Sequence, residues 1–499
     1  MSVMASEKTA FGLSFLFCLL ACVPGCALIH NDTPSHAQIA PEQIRLADDI
    51  HLARDGWPDA QWWTRYGDPQ LNALVERALS GSPSIAMAKA RVAQARSQTE
   101  LLDAGSNLQV TAMGVLNREK ASANGFLGPY ALNMPLLGIT GPWYTEGTVG
   151  LFGDLKIDIW GTHRSAVKSA IGAQNARLAE VAEVELTLSS GVAQLYYSMQ
   201  TGYQMLDLLQ QAKSVLDYAV QAHQGKAAQG LEARVPWHGA RGQLLAVERQ
   251  IAATQGQLRE TREAIRALVG AGPDDLLELT PAPLPNIGVG VPATLSYELL
   301  ARRPDLQAMR WYVQGSLDQV DAARAAFYPS FDIKAFYALD AIHLDSLFKR
   351  SSQQINLLPG LYLPIFDGGR LNANLHNARS ASDMLIEQYN QSVLDAVRDV
   401  AVSGSRVQSL EEERKLQVEK VEAARFAQAS ADALHQRGLG SRLAAMESRL
   451  PVISEQTALL LVDGQRLHQE IALTKALGGG YQQESAKVSA GGGRQEASR

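Results

Sequence analysis

Two kinds of hydrophobic periodicity divide this chain. Over 107–160, Leu108, Val110, Ala112, Gly114 and Leu116 take every second position between Asn107, Gln109 and Thr111. Val149, Leu151, Gly153, Leu155, Ile157 and Ile159 do the same among Thr148, Asp154, Lys156 and Asp158. A second such region spans 327–366, with Phe331, Ile333, Ala335, Tyr337 and Leu339 against Asp332, Lys334 and Asp340. Its partner runs Ile355, Leu357, Leu361, Leu363 and Ile365, where Pro359 argues for an edge strand or a bulge. Period two with one apolar and one polar face predicts β-hairpins whose two faces meet different environments.

After each hairpin the period changes. Val181, Leu188, Leu195, Leu209 and Leu216 share one heptad position, which Gly202 completes, and Leu178, Val192, Met199 and Leu206 supply a second seam. No proline interrupts the chain between 143 and 235, or between 365 and 450. A helix over about 164–228 is predicted, roughly 100 Å long at ~1.5 Å per residue. Gly230 and Gly438 end these rods, and return helices are expected over about 233–268 and 441–477.

The two halves are copies. Trp160 and Phe366 lie 206 residues apart, as do Arg164 and Arg370, each pair marking a strand–turn–helix junction. "GLEARVPWHGAR" (230–241) matches "GLGSRLAAMESR" (438–449) at offset 208, and "LVGAG" (268–272) falls on "ALGGG" (476–480). "SNLQV" (106–110) sits on "FYPSF" (327–331) at 221, so the first hairpin carries about 15 extra residues. The predicted units are a first repeat (68–272) with hairpins 107–160 and 164–268, and a second (295–481) with hairpins 327–366 and 370–477. A Pro/Gly-rich linker (273–294) separates them, and 482–499 reads as a disordered tail. Asp68-Pro69 and Ser82-Pro83 predict capped helices ahead of the first hairpin.

The alternation fits an antiparallel sheet on a soluble core and a membrane barrel equally well. If the strands enter a bilayer, four cannot close a barrel, because bacterial barrels need about eight and an open edge in lipid leaves backbone groups unpaired. The chain must then oligomerise, and pattern does not set the copy number.

Composition narrows the classes. A net charge of −6 over 499 residues gives no reason to propose a nucleic-acid partner. All three cysteines (Cys18, Cys22, Cys26) lie near the start, which excludes a disulfide framework or thiolate metal site in the body. The apolar run "FGLSFLFCLLACVPGC" after Lys8 reads as a secretory signal, too short to span a bilayer. "VPGC" and "LLAC" compete as lipoprotein cleavage sites, with Cys26 or Cys22 becoming the acylated first residue. No GxSxG, P-loop, HExxH or dinucleotide-binding glycine pattern is present, and the ten histidines are scattered. An enzyme is therefore disfavoured. A lipid-anchored periplasmic coiled-coil scaffold or adaptor would explain rods and anchor, though not four alternating strands.

"WWTRYGDPQLNALVERAL", "LLARRPDLQAMRW", "AAFYPSFDI" and "LPIFDGGRLNAN", in that order over nearly the whole mature chain, resemble the TolC-like outer-membrane factors of Gram-negative tripartite efflux pumps. The resemblance is to their lipoprotein (NodT/OprM-like) branch. It implies an α+β membrane protein: a homotrimer whose chains give four strands each to a shared 12-stranded barrel, continued by a periplasmic α-helical barrel with an equatorial domain. It also implies signal removal after residue 25, a lipid-anchored segment over 26–67, and diacylglycerol plus an N-acyl chain on Cys26, where "GCALI" matches the branch pattern. No other cofactor and no metal is expected. Expected partners are a periplasmic adaptor, an inner-membrane transporter and outer-membrane lipids, with drugs or toxic organic compounds as cargo. Gly230, Leu231, Gly438 and Leu439 correspond to the adaptor-docking turns, with Gln229 and Arg437 replacing the usual valine. Where the family places gating acids after the second tip, this chain has Ala444 and Glu447. Glu447 with Arg437 or Arg442 is the expected constriction.

Overall fold

The computed structural model describes residues 29, 36–39, 57–120, 122, 124, 142–272, 274–275, 278–286 and 301–482. The signal, Cys26, part of the linker and nearly all of the tail lie outside the described residues. The chain forms two compact units, one built mainly from 93–175 and 311–387, the other from 38–92, 176–310 and 388–499.

The first unit holds one four-stranded antiparallel sheet in the order β1-β2-β3-β4. Its strands are β1 (Gln109–Lys120), β2 (Trp143–Ile157), β3 (Ser330–Ala341) and β4 (Gln353–Tyr362). The extra residues of the first hairpin go into the 121–142 connection and a longer β2, of 15 residues against 10 in β4. Pro359 lies in β4, an edge strand of the sheet, opposite Ile333. Helices α2 (Pro83–Ala104) and α5 (Pro304–Ala325) lead into the hairpins, while α3 (Thr162–Ala228) and α6 (Arg370–Gln436) leave them. Gly172 and Gly315 let α3 and α5 touch: a Cβ on Gly172 would lie 3.0 Å from the Gly315 Cα.

Both repeats solve the strand-to-helix turn with a carboxylate. Asp158 accepts from the Arg164 amide at 2.8 Å, and Asp367 accepts from those of Gly369 and Leu371 at 3.0 and 2.6 Å. Backbone donors, Leu371 first, hold the Asp367 carboxyl below its usual range. Gly161, Gly368 and Gly369 take the left-handed φ these turns require.

The rods α3 and α6 are 67 residues each. On the heptad stripe of α3, Leu188, Val192, Met199, Leu209 and Leu216 are buried, whereas Leu178 is half exposed. Gly202 faces Leu258 of α4 (Arg234–Leu268), where a Cβ would come within 2.8 Å of a leucine methyl. In the second copy the return is split into α7 (Arg442–Glu447) and α8 (Arg449–Ala476) rather than running unbroken over 441–477. Pro451 explains this, because its ring clashes with the carbonyl four residues back, at Glu447. The first copy has Gln243 at the equivalent position.

The second unit packs around the aromatic motif. Trp62, Trp63 and Tyr66, on a 3-10 turn, join Tyr196 and Tyr197 of α3 in edge-to-face contacts. Leu71, Leu74 and Val75 of α1 (Pro69–Gly81), with Ile265, Leu467 and Ile471, complete this core. Asp68 caps α1 through the Gln70 and Leu71 amides and accepts the Tyr196 hydroxyl at 2.6 Å. Arg303 of "RRPD" is bidentate to Asp305 and donates to the Ala476 carbonyl. The motifs that carried the resemblance are thus mostly caps and core.

Candidate functional site: the membrane sheet and the helical tips

Register turns four alternating strings into two coherent faces. One face aligns Val110 with Gly153, Ala335 and Leu357; Ala112 with Leu151, Tyr337 and Ile355; and Gly114 with Val149 and Leu339. Leu155, Ile333 and Pro359 continue it, followed by Ile157, Phe331 and Leu361. This field carries no charge, and Val110, Leu151, Ile355, Leu357 and Leu361 are all exposed. A soluble protein rarely exposes a contiguous apolar patch of this extent. From Gly147 to Ile157 the strand runs about 33 Å, or roughly 25 Å tall at the tilt of about 40° usual in membrane barrels, which is the height of their lipid band. The field ends in amphipathic groups. Arg118 and Lys120 lie 5.7 and 5.9 Å over the Trp143 ring at one end. At the other, Trp160 stacks on Tyr328 at 4.9 Å.

The opposite face carries the charges of the sheet. It sets Gln109, Asp154 and Lys334 in one row, Lys156 and Asp332 in another, and Thr148 opposite Asp340. Thr148 donates to Asp340 at 3.2 Å, Lys334 pairs with Asp332 at 3.5 Å, and Phe152 stacks on Phe336. The edges of the sheet are β1 and β4.

At the far ends of the rods the two tips are built alike. Gly230 (φ 73°) donates to the Ala227 carbonyl and Leu231 to that of Lys226; Gly438 (φ 74°) donates to His435 and Leu439 to Leu434. Each is a Schellman cap, with glycine in the left-handed position. Leu231 and Leu439 both stand 74% exposed, their side chains spent on no contact that would bury them.

The structure assembles the candidate constriction differently from the expected pairing. Within the chain Glu447 meets neither Arg437 nor Arg442; its Oε1 lies 3.4 Å from His223 Nε2. Arg442 lies over the Tyr218 ring at 5.2 Å instead. The His223 Nδ1 contacts Glu232 Oε2 of the first tip turn at 2.7 Å. Pro451 ends α7 at Glu447, which is what presents this carboxylate at the break. Beneath it Leu443 packs on Ala219, Val220 and Ala240, and Ile453 on Ala212 and Val215. Sequence reasoning missed His223 and Glu232. Comparison of the repeats holds no signal for His223, since the second copy has Ala431 there.

The family model described as "Outer membrane efflux protein" matches residues 74–271 and 295–479. The chain belongs to the outer membrane efflux protein family. It is 65% identical over 460 residues, covering 92% of this chain and 94% of the relative, to the multidrug resistance outer membrane protein MdtP of Shigella flexneri. Among solved structures it is similar to the outer membrane protein VceC of Vibrio cholerae, with TM-score 0.75, 29% identity, and coverage of 85% of this chain and 100% of that one. It also shares the fold of the Campylobacter jejuni CmeC outer membrane channel (TM-score 0.80, 18% identity, 92% and 96% covered). The efflux channel therefore has the TolC-like α+β architecture and resides in the outer membrane, its helical part extending into the periplasm. The family is one of transport channels that work with further components in multipart systems. Among the described residues no helix is long and apolar enough to cross a membrane, and no cluster of His, Cys, Asp and Glu forms a metal site.

Proposed function

We propose that three copies of this chain close a 12-stranded barrel and form the passive exit duct of a tripartite multidrug pump. The uncharged face running across all four strands, opposite a charged face and between open β1 and β4 edges, carries this reading. Lipid takes the apolar face, water the charged one, and neighbouring copies pair the edges that a bilayer would otherwise leave unsatisfied. A relative at 65% identity named for multidrug resistance supports drugs or toxic organic compounds as cargo. An inner-membrane transporter and a periplasmic adaptor supply energy and substrate choice, so the chain itself needs no catalytic group. The adaptor docks on Gly230, Leu231, Gly438 and Leu439, whose leucines offer free apolar surface. Cys26 carries the diacylglycerol and N-acyl chain. Glu447 forms an acidic ring at the periplasmic mouth, with Arg437 or Arg442 as the basic group set against it.

Planar-bilayer conductance of the purified channel beside a Glu447→Ala variant tests this. A conducting trimer that passes more current in the variant supports duct and ring together. Equal currents remove Glu447 from the constriction. Release of the protein by an alkaline wash once Cys26 is replaced would overturn the barrel and leave a lipid-anchored scaffold.

A further inference from the structure

A cavity of ≈ 710 Å³ opens in the first unit, where β2, β3 and β4 meet α3, α5 and α6. Sites for small molecules run about 300–1,000 Å³, so it is large enough for one. Register sets it on the charged side of the sheet. Lys156 pairs with Asp332 on that face, and Ser330 and Tyr362, paired two positions further on, share it. All four line the cavity.

One wall is aromatic and fixed. Trp160 stacks on Tyr328 at 4.9 Å, and its indole N–H donates to the Pro329 carbonyl at 2.8 Å. Both rings stay about half exposed, Trp160 at 48% and Tyr328 at 47%. The stack is not a product of the repeat. The counterpart of Trp160 is Phe366, which stands 92% exposed, and the position matching Tyr328 holds Asn107. Tyr362 adds a third ring, with Lys334 at 6.0 Å from its centre. Ring surface left half open beside charged groups is what another flat ring would cover.

Charge does not choose the guest. Two acids, Asp158 and Asp332, and two bases, Lys156 and Arg370, line the cavity. The acids are already engaged. Asp158 accepts from the Arg164 amide at 2.8 Å, and Asp332 pairs with Lys334 at 3.5 Å. What remains to recognise a ligand is ring stacking.

We propose that this cavity is a stacking subsite on the wall of the duct, taking planar aromatic compounds in transit and admitting cations and anions alike. The inference rests on reading the chain as an exit duct and adds the class of cargo that touches its wall.

Methylquinolinium, a planar cation, and naphthalenesulfonate, a planar anion, serve as probes, with tetraethylammonium as a cation that lacks a ring. Equilibrium dialysis measures their binding to the purified full-length protein, and block of its bilayer current is recorded in parallel. Both planar probes should bind once per chain and reduce the current, and tetraethylammonium should do neither. Trp160→Ala and Tyr328→Leu should raise dissociation and half-blocking concentrations about fivefold or more, the scale of one lost stacking contact. Trp160→Phe should keep most of the affinity and Phe366→Ala all of it. Glu447→Ala should leave the half-blocking concentrations unchanged, because its carboxylate is not in the cavity. Block that disappears in Glu447→Ala, or tetraethylammonium binding as tightly as the planar cation, would overturn the subsite. Equal affinities in wild type, Trp160→Ala and Tyr328→Leu would overturn it and keep the duct. Binding that depends on Trp160 but never blocks an open channel would put the cavity off the duct and overturn it as well. The same binding in a protein that never conducts would keep the stacking site and remove the duct.

Discussion

At the residue scale, single groups with an environment unlike water have the largest predictable effects. Glu470 on α8 has a fully buried carboxylate 3.2 Å from Arg466, whose other nitrogen reaches Asn286 at 2.7 Å. Burial pushes Glu470 up to about 7, against the pull of Arg466 and with the push of Glu411. A raised acid favours the protonated folded state. Its contribution is complete below about 4.5 and is lost as pH climbs through about 7, at most about 3 kcal/mol in all. Thermal melts from pH 5 to 8 should therefore fall more steeply for wild type than for Glu470→Gln; parallel curves would mean the carboxyl does not titrate there. Asp68 is the second such group. Asp68→Ala removes the α1 cap and takes away the acceptor of the Tyr196 hydroxyl proton, which should lower unfolding free energy by about 2–4 kcal/mol in urea titrations.

At the scale of elements, the sheet is two-faced, so equal changes on its two faces should have unequal results. Leu151→Arg puts a charge in the middle of the apolar field and should cost about 2–4 kcal/mol in lipid vesicles. Thr148→Lys, three positions away on the charged face, should leave stability nearly unchanged and shift ion selectivity in bilayers. Equal destabilisation by the two would mean that the faces are assigned wrongly. The rods show the same economy of cause: Gly202 and Gly464 stand where helices approach closely, at Leu258 and Thr201. Glycine at a heptad position is there a requirement of the close approach.

At the scale of the molecule, the question is what keeps the chain in the membrane. A lipid anchor on Cys26 and a barrel predict different behaviour when the cysteine is replaced. Cys26→Ala with an intact signal should still fractionate with outer membranes after alkaline extraction, because the apolar face of the sheet meets lipid with or without the acyl chains proposed for Cys26. Recovery in the soluble fraction would count against the barrel.

Much of this architecture was legible in residue order, because local physics writes it there. Alternation, heptads and the αL glycines Gly230 and Gly438 depend on neighbours a few positions away, and the repeat made each reading available twice. Alternation by itself left soluble core and bilayer open, and the motif resemblance chose the bilayer without its physical reason, which depends on register. Only when Val110, Gly153, Ala335 and Leu357 line up does a row of separate alternations become one uncharged surface. The break in the return helix was in reach, since Pro451 was visible in the sequence, but its consequence at Glu447 shows only in the chain path. His223 was beyond reach. Its partners are 9 and 224 residues away in sequence, and three elements must pack before one imidazole can face two carboxylates. Sequence alone determined the elements and their repeat, because those follow from contacts along the chain; tertiary structure alone decided which charges meet, because ion pairs form across it.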